Sequence, residues 1–409
     1  MRRILIVGAG QSGLQLALGL LEDGYDVTVV SARTSEEIRA GRVTSTQCLF
    51  ATALGLERAL GLDLWADEAP RIEGVGVSLT GAGGERTADW LGRLHGDAQS
   101  VDQRVKMAEW LEEFEERGGR VVIHGVTVSD LEGFARMYDL VVVAAGRGEI
   151  AQVFDPDPAR VAHPGPSRSL ALAYVHGAGP RPGRPETTAL HCAIAPGVGE
   201  FFVVPSYTLS GPCDILFLAG VPGGPLDVFE GVGDPDEHLE HTRELIERFF
   251  PWEGERFQDA EPTDARGVLS GAHTPIARRP VGRIGGTLVF GMADVVVANA
   301  PITSQGANSA ARCAEIYRRA IVAHGDRPFD EAFMNATFAE YRAHVRHVTA
   351  WTEAMLRPTP RILGLLQAAG TRQDIADRYA NAFDDPADLE TWFLDSAAAP
   401  AALAGAVAG

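Results

Sequence analysis

The chain opens on a short apolar run, Ile4-Leu5-Ile6-Val7, that passes directly into glycines at 8, 10 and 13 and then into apolar positions spaced three and four apart through Leu21. A continuous apolar run reads as a buried strand and the wider spacing as a helix. With Val27-Thr28-Val29-Val30 behind them, residues 4–30 predict a strand-helix-strand unit. Further along, the pattern predicts an amphipathic helix over Met107 to Arg117, a stop at Gly118-Gly119 and an extended Arg120-Val121-Val122-Ile123. Leu140 to Val143, ending in Ala144-Ala145-Gly146, predicts a buried parallel strand.

Elsewhere the patterning changes character. Ile72 to Trp90 reads as short antiparallel strands joined by Gly81-Ala82-Gly83-Gly84. From about Pro164 to Pro275, hairpin-like runs (Leu190 to Ala195, Glu200 to Pro205, Asp214 to Val221) alternate with Gly/Pro turns. Leu288-Val289-Phe290-Gly291 returns to the buried-strand pattern, followed by a glycine-containing loop and a helix from about Asn308 through Ala323. From Phe329 onward the chain reads helical, with Pro358 and Pro360 as breaks, and Ala397 to Gly409 reads as a frayed tail. No internal repeat is visible. The fold class expected is α/β: a Rossmann-like three-layer domain, an interleaved antiparallel-sheet domain and C-terminal helices.

Composition narrows the function. At 409 residues the chain exceeds what one core usually serves, and 45% hydrophobic with 22% charged residues is an ordinary globular balance. A small binding module is excluded. Against 55 acidic residues stand 36 Lys and Arg, and the net charge of −19 repels phosphate backbones and anionic lipid heads, so nucleic acid is not an expected partner. Arg2-Arg3 before an apolar stretch imitates a twin-arginine export signal, but the strand runs straight into a patterned turn. No stretch approaches the about 18 apolar residues a membrane span needs. Cys48, Cys192, Cys213 and Cys313 are far apart and lack zinc-ligand spacing, so they read as buried thiols in a reducing cytoplasm, and no metal is expected.

Gly8-Ala9-Gly10-Gln11-Ser12-Gly13 matches G-x-G-x-x-G in the context that gives it meaning, after a strand and opening a helix. Gly8 permits the tight turn, Gly10 lets backbone approach a pyrophosphate, and Gly13 lets helix and strand close-pack. An acidic residue normally follows about 20 residues on to bind the ribose, but Ser31 stands there with Arg33 just beyond. Ser31 and Arg33 could grip a 2′-phosphate, or an FAD site could hold its ribose by other contacts, with Arg33 a solvated loop arginine. Gly291-Met292-Ala293-Asp294 and the helix-opening Pro301-Ile302-Thr303-Ser304-Gln305-Gly306-Ala307-Asn308 add a second motif. An aspartate at a strand end accepts from ribityl or ribose hydroxyls, and N–H groups at a helix start stabilise the anionic side of a reduced isoalloxazine.

These two motifs resemble flavoprotein monooxygenases of the aromatic-hydroxylase fold. More narrowly, the chain resembles the FAD-dependent oxygenase component of styrene and indole monooxygenases. That match runs through Ala40-Gly41-Arg42 to Thr46, Ser100-Val101-Asp102-Gln103-Arg104, Tyr138 to Gly146, Pro196-Gly197-Val198-Gly199-Glu200, Gln305 to Asn308, and Trp351-Thr352. The resemblance implies an FAD-binding domain made of 1–71, 98–155 and 276–325, a substrate domain made of 72–97 and 156–275, and C-terminal helices and tail over 326–409. It also implies a two-component system in which a separate NADH-using flavin reductase supplies reduced FAD as a diffusible cosubstrate. Oxygen then gives a flavin hydroperoxide whose distal oxygen passes to an alkene, an indole ring or a sulfide. Single-component relatives that bind NAD(P)H carry Asp-Gly and a following Ser after the strand at 140–143, where this chain has Ala144-Ala145-Gly146-Arg147.

From the motifs, and for the rest by carry-over from the family, Gly8, Gly10, Gln11, Ser12, Gly13, Arg33, Arg42, Arg104, Val126, Ala145, Gly146, Asp294, Gln305, Gly306, Ala307 and Asn308 are candidates for holding FAD. Arg104 alternatively reads as a helix-start arginine paired with a neighbouring carboxylate. Ser45, Thr46 and Pro301 are placed beside the flavin ring, and Gln47, Ile302, Phe202 and Val204 against the substrate. Which face of the strand at 201–205 lines the pocket is open. Styrene-oxidising relatives have Asn where this chain has Ser45 and Val where it has Ile302, so the substrate is a small aromatic of undetermined identity. Such oxygen transfer needs an apolar, water-poor pocket more than an acid or base, so none of the eleven histidines, His191 and His273 included, is assigned. The competing readings are a single-component NADPH-dependent hydroxylase and a non-catalytic flavin-binding protein. A homodimer is the expected assembly.

Overall fold

The computed structural model describes residues 2–81, 83–146, 148–160, 165–184 and 186–395. Arg147, Pro164 and the tail from Ala397 fall outside the described residues.

Ile4 to Val7 is buried on both faces, and β1 (Arg3–Val7) accordingly sits inside a six-stranded sheet. It pairs in parallel with β2 (Asp26–Ser31) on one side and β6 (Leu140–Val143) on the other. β5 (Arg120–Ile123) extends the sheet beyond β2, and β15 (Thr287–Gly291) extends it beyond β6, with β14 (Val281–Ile284) antiparallel at the edge. The register sets Val7 opposite both Val30 and Val143, and Gly291 opposite Val143. The glycine loop, Ser31, Ala144 to Gly146 and Met292 to Asp294 therefore leave the sheet at one edge, where open α/β sheets bind ligands.

α1 (Gln11–Glu22) packs against α4 (Gln103–Glu116) and α7 (Gly306–His324), while α5 (Val128–Met137) packs against β6, β14 and β15. The short α2 (Ser35–Arg39) and α3 (Ala51–Ala59) complete this side. α4 starts before the expected Met107 because Asp102 caps it, accepting from the Arg104 N–H at 2.8 Å.

The second sheet has eight strands: β3 (Arg71–Thr80), β4 (Arg86–Gln99), β7 (Arg168–His176), β8 (Ala189–Ala195), β9 (Gly199–Thr208), β10 (Gly211–Gly220), β11 (Glu261–Pro262) and β12 (Val268–His273). Its expected antiparallel character holds except at one place: β3 pairs with β8 in parallel, from Gly74 opposite Ala189 to Leu79 opposite Ile194. These two strands are joined by the whole excursion through the first sheet, not by a hairpin, so no turn imposes opposite directions. A two-stranded patch, β13 (Ile276–Ala277) with β16 (Val297–Ala298), links the two regions in sequence.

The hairpin reading of 164–275 missed α6 (Pro235–Phe249). Asp234 caps this helix, Pro235 occupies its first turn, and Leu239, Leu245 and Ile246 bury it against the back of the second sheet. α8 (Glu331–Leu356), α9 (Pro360–Ala368) and α10 (Gln373–Asn381) cover the front. Pro360 starts α9 instead of breaking a helix, because its missing N–H costs nothing in a first turn. Among the described residues no helix is long and apolar enough to cross a membrane, and no cluster of metal-ligating side chains occurs.

Candidate functional site

The glycine loop presents backbone. Gly8 has φ +119°, and a Cβ there would fall 2.8 Å from the Ala145 nitrogen; a Cβ on Gly13 would fall 2.1 Å from the Gly8 carbonyl oxygen. Gly10 differs, since a Cβ there would meet nothing within 4 Å, although the residue sits at the head of α1 with no side-chain cap. The first amides of α1 thus have no side-chain cap and there is room beside Gly10, which fits a pyrophosphate. Gln11 and Ser12 turn their side chains inward and can offer a ligand only backbone. Gln11 donates to Glu57 Oε1 at 2.8 Å, and Lys106 Nζ reaches both Glu57 oxygens at 2.6 Å. Burial raises the Glu57 carboxyl above its ordinary range, opposed by the Lys106 charge and its hydrogen bond.

At the end of β2, Ser31 Oγ donates to the Arg33 carbonyl at 2.6 Å and is thereby committed to its own turn. Arg33 is exposed. Val126 is half-buried in the loop between β5 and α5.

The opposite wall comes from Ala145-Gly146 and the segment 293–308. A Cβ on Gly146 would lie 3.2 Å from Asp294 Cβ, so these strand ends close on each other. Asp294 is exposed at this edge. Ala293 (φ 48°) and Ser304 (φ 52°) are the non-glycine residues in left-handed conformation among the described residues, and they bracket the Pro301–Thr303 turn before α7. α7 begins at Gly306 without a side-chain cap and with open space at the Gly306 Cβ position, which fits the polar edge of a flavin ring. The side chains of Gln305 and Asn308 face elsewhere. Gln305 donates to the Phe383 carbonyl at 2.8 Å, while Asn308 accepts from Phe50 N at 2.9 Å and donates to the Cys48 carbonyl at 2.8 Å. Ala307 packs beside Leu49 and Leu54.

Arg42 is exposed, and Ser45 and Thr46 are half-buried. Ser45 Oγ donates to Gln47 Oε1 at 2.7 Å, and Tyr174 donates to the Ser45 carbonyl at 2.9 Å. Tyr174 also accepts from Gln47 Nε2 at 3.3 Å. Tyr174, which the sequence did not single out, therefore shapes this loop from the second sheet. Arg104 takes the carboxylate reading: it is buried, its Nε donates to Asp102 at 2.9 Å, and its terminal nitrogens donate to Asp264 at 2.9 and 3.0 Å. Burial opposes its charge, but these carboxylates hold its pKa above the ordinary value. A guanidinium so engaged positions the loop at 263–267, whose Arg266 carbonyl accepts from Val43 N at 3.1 Å.

An apolar cavity lies against Ile302, lined also by Val77, Cys192, Ile194, Phe202, Met355, Tyr379 and Phe383, with Glu200 at one end. The open question about β9 is resolved by packing: Phe202 and Val204 face the side of Ile302, and Phe201 and Val203 pack on the side of α6. Its volume is about 10 Å³, space for one water. Burial lifts the Cys192 thiol well above its ordinary value and the Glu200 carboxyl above its own, the latter opposed by hydrogen bonds from Arg168. His191 lies on the far face of β8, where Ser78 Oγ is 3.3 Å and Glu253 Oε1 3.4 Å from its ring nitrogens. Burial keeps that imidazole neutral, and all three side chains are sealed from solvent.

Comparison with known proteins shows what this chain is similar to. Residues 146–256 match the family described as "Styrene monooxygenase A putative substrate binding domain". The styrene monooxygenase StyA of Pseudomonas fluorescens is 28% identical over 396 residues, covering 94% of this chain and 93% of that protein, and the StyA of a second Pseudomonas matches equally. Among solved structures, the flavin-dependent brominase Bmp2 superposes with a TM-score of 0.68 at 15% identity, covering 99% of this chain and 98% of that one. A flavoprotein/dehydrogenase from Cytophaga hutchinsonii gives 0.67 at 15% identity, over 99% and 98% of the two chains. The backbone-lined edge fits FAD, the fold is that of flavin-dependent enzymes, and the sequence match spans nearly the whole chain; the protein is a styrene monooxygenase-like, FAD-dependent monooxygenase.

Proposed function

We propose that this protein is the oxygenase of a two-component system that takes reduced FAD from a separate NADH-using reductase and inserts one oxygen atom into a small aromatic substrate, by epoxidation of a styrene- or indole-type double bond or by sulfoxidation. The observation that carries the reading is the cavity against Ile302, whose walls are apolar or aromatic apart from the paired Glu200 and the Cys192 thiol. Bound reduced FAD activates O₂ and supplies the transferred oxygen; the protein's part is to place an apolar ring beside it and keep water away.

The amides at the heads of α1 and α7 would hold the pyrophosphate and the pyrimidine side of the ring, with Asp294 and the Gly146 backbone against the ribityl chain. Arg42, Ser45 and Thr46 would face the ring from the other side, in a loop fixed by Gln47 and Tyr174. Ile302, Phe202 and Val204 would orient the substrate. No general acid is required, which suits walls where burial pushes the Cys192 thiol and the Tyr379 phenol, the latter beyond the range of ordinary pH, toward their neutral forms. Ser31 supports FAD over NADPH, because its hydroxyl is already committed to Arg33. The four free, buried cysteines support a reducing, cytoplasmic setting.

An assay under air with FAD, NADH and a generic flavin reductase, offering styrene and indole and following epoxide or indigo, tests this reading. Product that depends on the reductase is expected. NADPH oxidation by the isolated protein would replace it with the single-component hydroxylase.

A further inference from the structure

The cavity against Ile302 has a constraint that its lining alone does not reveal. Pockets that bury a small organic ligand span roughly 300–1,000 Å³, and this one, at about 10 Å³, is too small for such a ligand. Next to it lies an open groove of about 590 Å³ lined by Pro166, Ala195, Pro196, Val221, Pro222 and Leu356 among others. This groove is large enough for a benzene-sized ring, and its walls are mainly apolar and glycine backbone.

The groove and the cavity are neighbours. Ile194 and Glu200 line both, and along α8 Met355 faces the cavity while the next residue, Leu356, faces the groove. A buried ion pair stands at their boundary, with Glu200 lining both and Arg168 lining the groove. Arg168 Nε and Nη2 donate to the two Glu200 oxygens at 2.8 and 2.7 Å, and Nη2 also donates to the Leu356 carbonyl at 3.1 Å. Arg168 thus ties β9 to the end of α8 across the boundary. Behind the pair, strand alternation sets Glu200, Phe202 and Val204 on one face of β9, a continuous wall from the groove toward Ile302. Charged side chains are placed oddly here if the only task is to bury an apolar ring, because burying two ions costs more than an apolar partition would.

Resting on the oxygen-transfer reading, we propose that the groove is the entrance for the aromatic substrate and that the Arg168–Glu200 pair is the gate between it and the cavity against Ile302. The pair keeps the cavity shut and water out when empty. Its swing, with Met355, opens room for the ring. Glu200 and Arg168 act as specificity-setting residues at the threshold and take no part in bond making.

Cys192, inside the cavity, reports passage without flavin or turnover. The flavin-free protein is treated with N-phenylmaleimide, an aromatic electrophile close in width to the substrate, and alkylation of each cysteine is timed by peptide mass analysis. Cys213, buried on another strand and absent from the groove and cavity linings, serves as the internal reference. Glu200→Gln is expected to speed Cys192 alkylation at least fivefold relative to Cys213. Pro222→Trp, at the exposed rim, is expected to slow it at least fivefold and to lower kcat/KM for styrene with kcat held. Cys192 rates unchanged in both variants would overturn the gate. Should all four cysteines accelerate together in Glu200→Gln, Pro222→Trp alone decides, since its exposed site leaves the core intact. Labelling that follows the groove in a protein that oxygenates nothing would retain the entrance and remove the oxygenase reading; product formation with labelling indifferent to the groove would do the reverse.

Discussion

Between Gly8 and Gly13 the protein presents backbone, and around Ile302 it presents side chains. The nucleotide edge is made by short segments that leave neighbouring strands of one sheet, and its shape depends on where side chains are missing. The cavity is assembled from β3, β8, β9, the Pro301–Thr303 turn, α8, α10 and Phe383, and its shape depends on which side chains are there. Backbone geometry can be shared by proteins that do different chemistry, which is why a brominase at 15% identity superposes over the whole chain. If the cavity holds the substrate as proposed, one methylene there is worth roughly 1–3 kcal/mol in discrimination.

This contrast can be broken in several places. The largest effect is expected from Phe202→Ala, which empties a fully buried ring position stacked on Phe217. It should cost about 3–5 kcal/mol in urea unfolding while FAD affinity changes less than about threefold, by the size of contacts not shared. A comparable loss of FAD affinity would show that the two regions are not separate. On the nucleotide edge, Gly10→Ala and Gly13→Ala form a pair. The added methyl at Gly13 overlaps backbone and should lower both the melting temperature and FAD binding, whereas at Gly10 it meets only open space in the flavin-free protein. Gly10→Ala is therefore expected to melt with the parent and bind FAD at least about tenfold more weakly, about 1.4 kcal/mol, in a fluorescence-quenching titration. Normal binding by Gly10→Ala would move the pyrophosphate elsewhere.

At the join between the regions, burial raises the Asp264 carboxyl, but hydrogen bonds from Arg104 and the Arg266 amide lower it more, leaving it below its ordinary 3.8. A carboxyl depressed in the fold stabilises above its unfolded value, and that contribution fades as pH falls through the folded value. Asp264→Asn should cost about 1–2 kcal/mol at pH 7, and the gap to the parent should narrow below about pH 4. A gap that is constant with pH would mean the carboxylate charge contributes nothing. The smallest effect belongs to Ile302→Val, with under about 1.5 kcal/mol in stability. Its signature is a shifted ratio of kcat/KM between styrene and a bulkier ring, by roughly fivefold or more; an unchanged ratio would take Ile302 out of the substrate wall.

The same contrast explains what could be read from residues alone. Ile4 to Val7 and Leu140 to Val143 are continuous apolar runs that only a doubly covered strand accommodates, and the glycine spacing carries its own steric meaning. α6 was equally legible, since Asp234-Pro235 is a helix start and its buried positions recur at helical spacing, but the Gly/Pro turns on either side masked it. The parallel pairing of β3 with β8 was not, because it depends on where a long excursion returns. Nor could alternation choose a face of β9: Phe201 and Val203 are as apolar as Phe202 and Val204, since α6 covers one side and the cavity lies on the other. Tyr174, Tyr379 and Phe383 reach the site from afar in sequence, and Arg104 carries no local sign that distant Asp264 would claim it.

One single-turnover experiment meets the central claim directly. FAD reduced chemically under argon is bound to the protein, the solution is mixed with air in the presence of indole or styrene, and oxygenated product is counted per protein with no reductase or nicotinamide present. Close to one equivalent of product is the predicted result. Absence of product, with a parallel sample given NADPH in place of reduced FAD consuming it catalytically, would contradict the account.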